Sequence, residues 1–333
     1  MRLYTDLADW FHLLSHPSEY EEEAADYTRI IKGALPSART LLELGSGGGG
    51  NALHMKADFE CTLSDLSPQM LALSQTVNPE LEHIEGDMRS LRLGREFDCV
   101  FIHDAIEYMT TIEDLAAAIE TAYIHTRPGG VALFVPDSTQ ETFEPGTNHG
   151  GSDGDDGRSM RFLEWTLPPE PGTNTYRVHF VLALKDGESI RIEHDPQDFA
   201  LFSAGQWLDL LTAAGFTVER PPLDPEEHGT QVAFLCRKGV YRTVRLGSRG
   251  NAPILSPRFR GKGDHQVRTR ARSCGRAVMI ASGEWPAGSS WRNSWVRTPR
   301  MPSDCGPRTS SRTRSPTNAV SLAATPRSAR AWR

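Results

Sequence analysis

Apolar side chains recur along the chain at two spacings, first helical and then strand-like, in a repeating order. Residues 5–15 and 18–34 read as two helices. In the second, Tyr20, Ala24, Tyr27, Ile30 and Ile31 recur at helical spacing behind an acidic first turn, Glu21-Glu22-Glu23, which suits the positive end of a helix. Thr40–Leu44 is a short apolar run and predicts a first strand, with a short helix expected after the glycines that follow it. Glu60–Ser64 predicts a second strand and Leu81–Glu85 a third. Phe97–His103 predicts a fourth, and its almost unbroken apolar character marks a strand buried on both faces. Ser67–Val77 predicts a helix bracketed by Pro68 near its start and Asn78-Pro79 at its end. Ile112–Thr126 predicts an alanine-rich helix stopped by Arg127-Pro128-Gly129-Gly130, and Val131–Val135 a fifth strand. Strand–helix–strand units of this length imply right-handed crossovers and a parallel sheet.

After Val135 the alternation stops. Residues 137–173 read as a long loop dense in Gly, Asp, Pro and Ser, and a loop of that length in a compact domain is functional or disordered. Tyr176–Leu184 alternates apolar and polar, Asp186-Gly187 signals a turn, and Ser189–His194 alternates again, which predicts a β-hairpin. Ser203–Ala214 predicts a helix closed by Gly215. Phe216–Glu219 and Gln231–Arg237 predict the last two strands. No segment repeats another.

Charge divides the chain where this patterning ends. Residues 1–239 hold 17 Lys and Arg against 40 Asp and Glu, a net of −23, and residues 240–333 hold 19 against 3, a net of +16. The first part reads as one α/β domain of ordinary size, whose charge repels a phosphate backbone and disfavours nucleic acid as a partner. The second part, rich in Arg, Ser, Pro and Gly, reads as a disordered tail, because low hydrophobicity with high net charge cannot offset the entropy of folding. It is open to three readings: an unselected, out-of-frame or read-through extension; a basic arm for nucleic acid or anionic membrane; or a small module. The five cysteines show no metal-ligand spacing, which fits a reducing cytoplasm. Asp6 and Asp9 interrupt the first apolar segment, which is unlike a secretory signal. No apolar run approaches the ~20 residues that span a bilayer.

Four segments carry candidate chemistry, all at the carboxyl ends of predicted strands, where open α/β sheets place their reacting groups. The first is Leu41-Leu42-Glu43-Leu44-Gly45-Ser46-Gly47-Gly48-Gly49-Gly50. Glu43 is unusual in a buried strand and needs a partner there. Gly45, Gly47 and Gly50 satisfy G-x-G-x-x-G, a loop that lets a ligand press against bare backbone, though dinucleotide enzymes share it. The second is Leu63-Ser64-Asp65-Leu66-Ser67-Pro68-Gln69-Met70-Leu71. Asp65 ends its strand facing the crevice, where a carboxylate can accept from both hydroxyls of a ribose. Ser67 is the candidate N-cap of the next helix, and Leu66 and Met70 can pack on an adenine ring. In the third, Glu85-Gly86-Asp87-Met88, the Asp87 carboxylate can accept from the exocyclic amine of adenine while Met88 lines the ring. The fourth is His103-Asp104-Ala105-Ile106-Glu107-Tyr108-Met109. His103 either holds a backbone carbonyl at the core edge, or contacts the ligand or acts as a base.

The order of these four segments resembles that of the class I S-adenosylmethionine (SAM)-dependent methyltransferases, over roughly residues 1–238. Glu43–Gly49 resembles that family's first motif, with Ser46 where Cys is frequent. Asp65, Asp87 and His103–Tyr108 match its second, third and fourth, and Arg127–Gly130 its turn before the fifth strand. The resemblance implies a Rossmann-like α/β fold. It has a seven-stranded, mostly parallel sheet with an antiparallel last strand, here with an inserted β-hairpin. SAM would lie over the first four strands, bound by Glu43, Gly45, Ser46, Gly47, Asp65, Leu66, Met70, Asp87, Met88 and His103. The hairpin and the Tyr4–Trp10 segment are most similar to the small-molecule branch acting on amino-sugars and glycine-like amines. There the added strands commonly pack subunits together and N-terminal aromatics help close the site. The resemblance thus implies a homodimer through the hairpin, with Tyr4 and Trp10 as pocket candidates that can equally be core aromatics.

The implied reaction moves a methyl group from SAM to an amine or hydroxyl of a small-molecule acceptor in the cytoplasm. Neither membrane nor metal is involved: His149, Asp153, Asp155 and Asp156 in the long loop lack a recognisable metal spacing. An amine acceptor must be neutral and a hydroxyl must lose a proton, so a general base is useful. His103, His149 and Tyr108 are the candidates. Two other readings stay open: an NAD(P)-dependent oxidoreductase, and a SAM-binding protein without catalysis.

Overall fold

The computed structural model describes residues 2–240. Seven strands form one sheet: β1 (Thr40–Leu44), β2 (Glu60–Asp65), β3 (Glu82–Glu85), β4 (Phe97–Ile102), β5 (Thr126–Phe134), β10 (Phe216–Glu219) and β11 (Phe234–Lys238), in the order β10-β11-β5-β4-β1-β2-β3. Strands β1 to β5 pair in parallel, with Leu42 opposite both Thr62 and Val100, while β11 runs antiparallel to β5 and to β10. The expected sheet, antiparallel last strand included, is therefore present. The chain leaves β1 toward β2 on one side and β4 lies on the other, so the strand order reverses at β1 and opens a crevice above its carboxyl end.

The near-continuous apolar strands make sense from this layering. Alternate side chains of β1 and β4 enter opposite cores. Leu42, Leu44, Val100 and Ile102 pack with Leu115 and Ile119 of α5 (Ile112–His125) and Trp207 of α6 (Ala204–Ala213). Leu41, Cys99 and Phe101 pack on the other face with Tyr27 and Ile31 of α2 (Glu21–Ala34). The helices start where side-chain caps dictate. Ser67 accepts from the Met70 amide at the start of α4 (Pro68–Val77), Thr111 from Asp114 at the start of α5, and Ser203 with Gln206 closes a capping box on α6.

Two expectations need correction. Residues 137–173 are not one loop. They contain β6 (Gly146–Gly150) and β7 (Arg158–Thr166), which join β8 (Thr175–Asp186) and β9 (Ser189–Ala200) in a separate antiparallel sheet, order β6-β7-β8-β9. The hairpin is thus half of a four-stranded sheet. The alternation in β7, with Met160 and Phe162 buried while Ser159 and Leu163 are half-buried and Arg161 is exposed, was masked by the flanking Gly, Asp and Pro.

Residues 5–15 do not form one helix either. They make a 3-10 turn, Ala8–Trp10, and the single-turn α1 (Phe11–Leu14). The Tyr4 carbonyl, which a helix would give to the Ala8 amide, is taken by the Ser67 hydroxyl, and Ala8 bonds Thr5 instead. Leu3, Leu7, Trp10, Phe11 and Leu14 then cover the inner face of the second sheet, beside Phe162, Val178, Phe180 and Leu182.

A short helix follows the glycines as expected, α3 (Gly50–Met55), and α7 (Pro225–His228) is an addition the sequence pattern did not suggest. Among the described residues no helix is long and apolar enough to cross a membrane. The basic segment expected to be a tail lies, from residue 241 on, outside the described residues.

Candidate active site

Strand β1 delivers Glu43 and the glycine loop to the crevice. Gly45, Gly47 and Gly49 hold φ of +76°, +52° and +80°, a region that side chains disfavour. Each glycine meets something different. A Cβ on Gly45 would collide with Ala105 and stand 2.9 Å from Met88 Cε, and one on Gly48 would come within 2.8 Å of His12 Nε2. A Cβ on Gly47 has only Met70 Cε nearby, at 3.8 Å, because Gly47 faces open space. That space is a cavity of about 440 Å³.

The cavity collects nearly every residue singled out in the sequence. Glu43, Gly45, Ser46 and Gly47 line its floor. Asp65, Leu66 and Met70 line one side, and Asp87 and Met88 the next. His103, Tyr108 and Tyr4 complete it. Two candidates are not brought there. Trp10 is buried in the packing under the second sheet, with the Arg158 guanidinium 5.1 Å from its ring centre, so it is a core aromatic. His149 is exposed on the edge strand β6, paired with Leu163, and lines no part of the cavity, so its reading as a base is withdrawn. Sequence reasoning also missed Phe11, Tyr20, Asn51 and Arg89, and gave Asp104 no role within its segment; all five are on the cavity wall. Tyr20 and Phe11 were visible only as helical apolar positions, and Asn51 only as the residue after the last glycine.

Asp65 is preorganised by backbone. Its Oδ2 accepts from the Gly47 amide and its Oδ1 from the Ser67 amide, both at 2.8 Å. Burial still raises its pKa against these donors. Each oxygen keeps a lone pair for a ligand hydroxyl. Asp87 differs: the Arg89 guanidinium grips both its oxygens and holds its pKa below the usual carboxylate range. Glu43 is 3% exposed and its Oε2 has no hydrogen-bond partner among the described residues. Burial pushes its pKa up to about 8, an effect that the nearby His103 opposes. Ser46 Oγ and Asn51 Oδ1, in the same wall, are buried and also lack a hydrogen-bond partner among the described residues.

His103 sits behind the cavity rather than across it. Its Nε2 is 3.1 Å from the Tyr27 hydroxyl, which itself donates to Gln231 Oε1 at 2.9 Å. The Gln231 amide nitrogen, 3.0 Å from the same Nε2, also reaches Asp137 Oδ1 at 3.3 Å. Nδ1 faces Asp104 Oδ1 at 3.5 Å. Burial lowers the imidazole pKa, but Glu23, Asp104 and Asp137 together push it up to about 10. A pKa raised so far by three neighbouring carboxylates leaves His103 poorly suited to act as the general base. Burial likewise pushes the Tyr108 hydroxyl well above its ordinary value, so it can donate a hydrogen bond but not remove a proton.

Three orphaned polar atoms around a side-chain-free loop, beside a carboxylate placed for two hydroxyls, fit a nucleoside that carries an amino-acid end. Comparison with known proteins agrees. Residues 41–130 match the family model of a methyltransferase domain. The chain is 31% identical, over 218 residues covering 65% of it and 91% of the relative, to dTDP-3-amino-3,4,6-trideoxy-alpha-D-glucopyranose N,N-dimethyltransferase of Streptomyces venezuelae. The crystal structure of Streptomyces venezuelae DesVI superposes with a TM-score of 0.62 at 27% identity, covering 71% of this chain and 98% of that one. SAM-bound CalS10, an amino pentose methyltransferase from Micromonospora echinaspora, superposes with a TM-score of 0.57 at 26% identity, covering 66% and 91%. SAM is thus the methyl donor, the acceptor is a small molecule, and the protein belongs to the class I SAM-dependent methyltransferases.

Proposed function

We propose that the acceptor is a nucleotide-linked amino sugar and that its nitrogen is methylated. The observation that carries this reading is the 31% identity across 91% of an enzyme named for dimethylating a dTDP-linked amino sugar. The cavity wall supports it: Asp104 with Tyr4, Tyr20 and Tyr108 offers a carboxylate and ring faces, both attractive to an ammonium group.

When bound, SAM supplies a methyl group already activated by its sulfonium. The chain's own task is then to hold donor and acceptor in line and keep them there. In this reading Asp65 takes the ribose hydroxyls, and Leu66, Met70 and Met88 sandwich the adenine. Asp87 accepts from the adenine amine with lone pairs that Arg89 leaves free. Glu43, Ser46 and the amides of the glycine loop receive the amino-acid end. Tyr108 donates to the acceptor.

Residues 1–239 act as one domain, without the basic segment that follows. The buried thiols of Cys61, Cys99 and Cys236 suit the cytoplasm, and the acidic composition disfavours nucleic acid. A homodimer would use the outer face of the second sheet, where Ile190 and Ile192 are exposed.

The test offers purified protein SAM with dTDP-3-amino-3,6-dideoxy-α-D-glucopyranose or with the sugar bearing a hydroxyl in place of the amine. Mass spectrometry should find mono- and dimethylated amino sugar and no methylated hydroxy sugar. Methylation of the hydroxy sugar alone would overturn the reading.

A further inference from the structure

Asp104 opens the first turn after β4 and lines the cavity beside His103. Its side chain is 27% exposed, against 5% for that of His103. Among the described residues its ion pair is to His103 alone. His103 Nδ1, 3.5 Å from Asp104 Oδ1, holds the carboxylate from behind and leaves it lone pairs for a ligand. Tyr4 and Tyr108 meet edge to face with ring centres 5.8 Å apart, and Tyr20 lines the same wall. A carboxylate bordered by phenol rings is a receptor for a primary or methylated ammonium group.

We propose that Asp104 binds the acceptor's ammonium group and receives the proton that methylation releases. This rests on the amino-sugar reading above and adds a catalytic residue to it. The balance is simple. The bound ammonium first gives a proton to an Asp104 oxygen, which passes it to water at the cavity mouth; the freed lone pair then forms the new N–C bond, while the C–S bond breaks with its pair going to sulfur, leaving a neutral thioether. The nitrogen then carries a positive charge and one proton too many, which passes to an Asp104 oxygen and from there to water at the cavity mouth. The same transfer restores a lone pair for a second methyl group.

The other groups on the wall are less suited. The Nε2 of His103 points away from the cavity toward Tyr27. Asp65 already holds two backbone amides. Glu43 lies deep in β1, next to the orphaned atoms of the cofactor end.

Calorimetry on protein saturated with S-adenosylhomocysteine tests this, with dTDP-3-amino-3,6-dideoxy-α-D-glucopyranose and its 3-hydroxy counterpart as probes. The unmodified protein should bind the amino sugar more tightly. Asp104→Asn should weaken amino-sugar binding about 10- to 100-fold while leaving the hydroxy sugar and S-adenosylhomocysteine unchanged. An unchanged amino-sugar affinity, an equal loss for both sugars, or a loss of S-adenosylhomocysteine binding would overturn the proposal. If Asp104→Asn does not fold, the unmodified protein decides: equal affinity for the two sugars removes the ammonium contact. Failure of the unmodified protein to methylate any amino sugar would remove the functional reading itself, a result separable from every outcome for Asp104.

Discussion

At the cofactor end of the cavity, buried polar atoms stop short of pairing, whereas behind the acceptor end they pair with one another. Glu43 Oε2, Ser46 Oγ and Asn51 Oδ1 have no hydrogen-bond partner among the described residues. Behind His103, by contrast, Tyr27, Gln231 and Asp137 interlock, and Glu107 accepts from the Tyr176 hydroxyl at 2.7 Å and from the Ser138 amide at 3.0 Å. A buried polar atom left open costs stability, so it is tolerated where a ligand completes it. One end is therefore a mould for a molecule of fixed shape. The other is a stiff frame that leaves few side chains free to meet the acceptor.

The glycine loop offers the sharpest way to break this contrast. Gly45→Val puts a side chain against Ala105 and Met88 at a φ of +76°. Backbone strain and overpacking should together cost about 2–6 kcal/mol, read as a lowered midpoint in urea. Gly47→Ala meets nothing closer than Met70 Cε at 3.8 Å, so only the φ penalty of about 1–2 kcal/mol applies and the fold should survive. Its methyl projects into the cavity, and SAM affinity should fall instead. A Gly47→Ala protein that binds SAM normally would mean that the loop does not face the ligand.

Glu43 sharpens the contrast through pH. Its folded pKa of about 8 lies above the ordinary 4.5, so the folded state keeps a proton that the unfolded chain loses. Stability should therefore decline as pH rises between those values, by on the order of a few kcal/mol, and Glu43→Gln should flatten the decline. In the proposed reading SAM brings an ammonium group to this carboxyl, so its binding should release protons near neutral pH. Titration calorimetry in buffers of different ionisation enthalpy would read the release, and its absence would separate Glu43 from the cofactor.

Asp65→Ala removes the acceptor of two backbone amides that, in the proposed reading, also takes the ribose hydroxyls. SAM affinity should drop roughly 10- to 150-fold, the value of about 1.5–3 kcal/mol for a hydrogen bond to a charged group. Unchanged affinity in a folded variant would remove the ribose role.

The frame predicts the reverse pattern. Tyr27→Phe deletes the hydroxyl shared by His103 and Gln231, and should lower stability by about 1–3 kcal/mol while SAM affinity holds. A variant that loses SAM binding with its stability intact would join the two ends into one unit.

The same contrast explains what could be read in the chain. The cofactor end is built from strand ends and their loops, so its residues are neighbours in sequence as well as in space. Glu43 to Gly47, Asp65 to Met70 and Asp87-Met88 carry it almost whole. The frame joins Tyr27 to Gln231 and Glu107 to Tyr176, contacts 204 and 69 residues apart in the chain. No spacing rule reaches that far, so the sequence left His103 open between a core-edge histidine and a ligand contact or base, and its contacts with Tyr27 and Gln231 are visible only in the fold. The second sheet was legible only as far as its tightest turn, Asp186-Gly187. Strand β7 lies between segments whose Gly and Pro content reads as loop, and only its pairing with β8 makes it a strand.

The smallest effect should come from Arg89, which binds Asp87 and Asp114 with a side chain 42% exposed. Ion pairs in such surroundings contribute about 0–1 kcal/mol, because water screens the charges and both side chains lose freedom. Arg89→Ala should therefore change stability by less than about 1 kcal/mol and SAM affinity by less than about fivefold. Two small terms oppose each other: Asp87 loses a grip that fixes its position, and gains lone pairs for the adenine amine. An affinity change well above that range would mean that the Asp87–Arg89 pair reads the adenine as a unit. A long, half-exposed cation would then be part of the mould, and backbone and buried carboxylates alone would not account for the cofactor end.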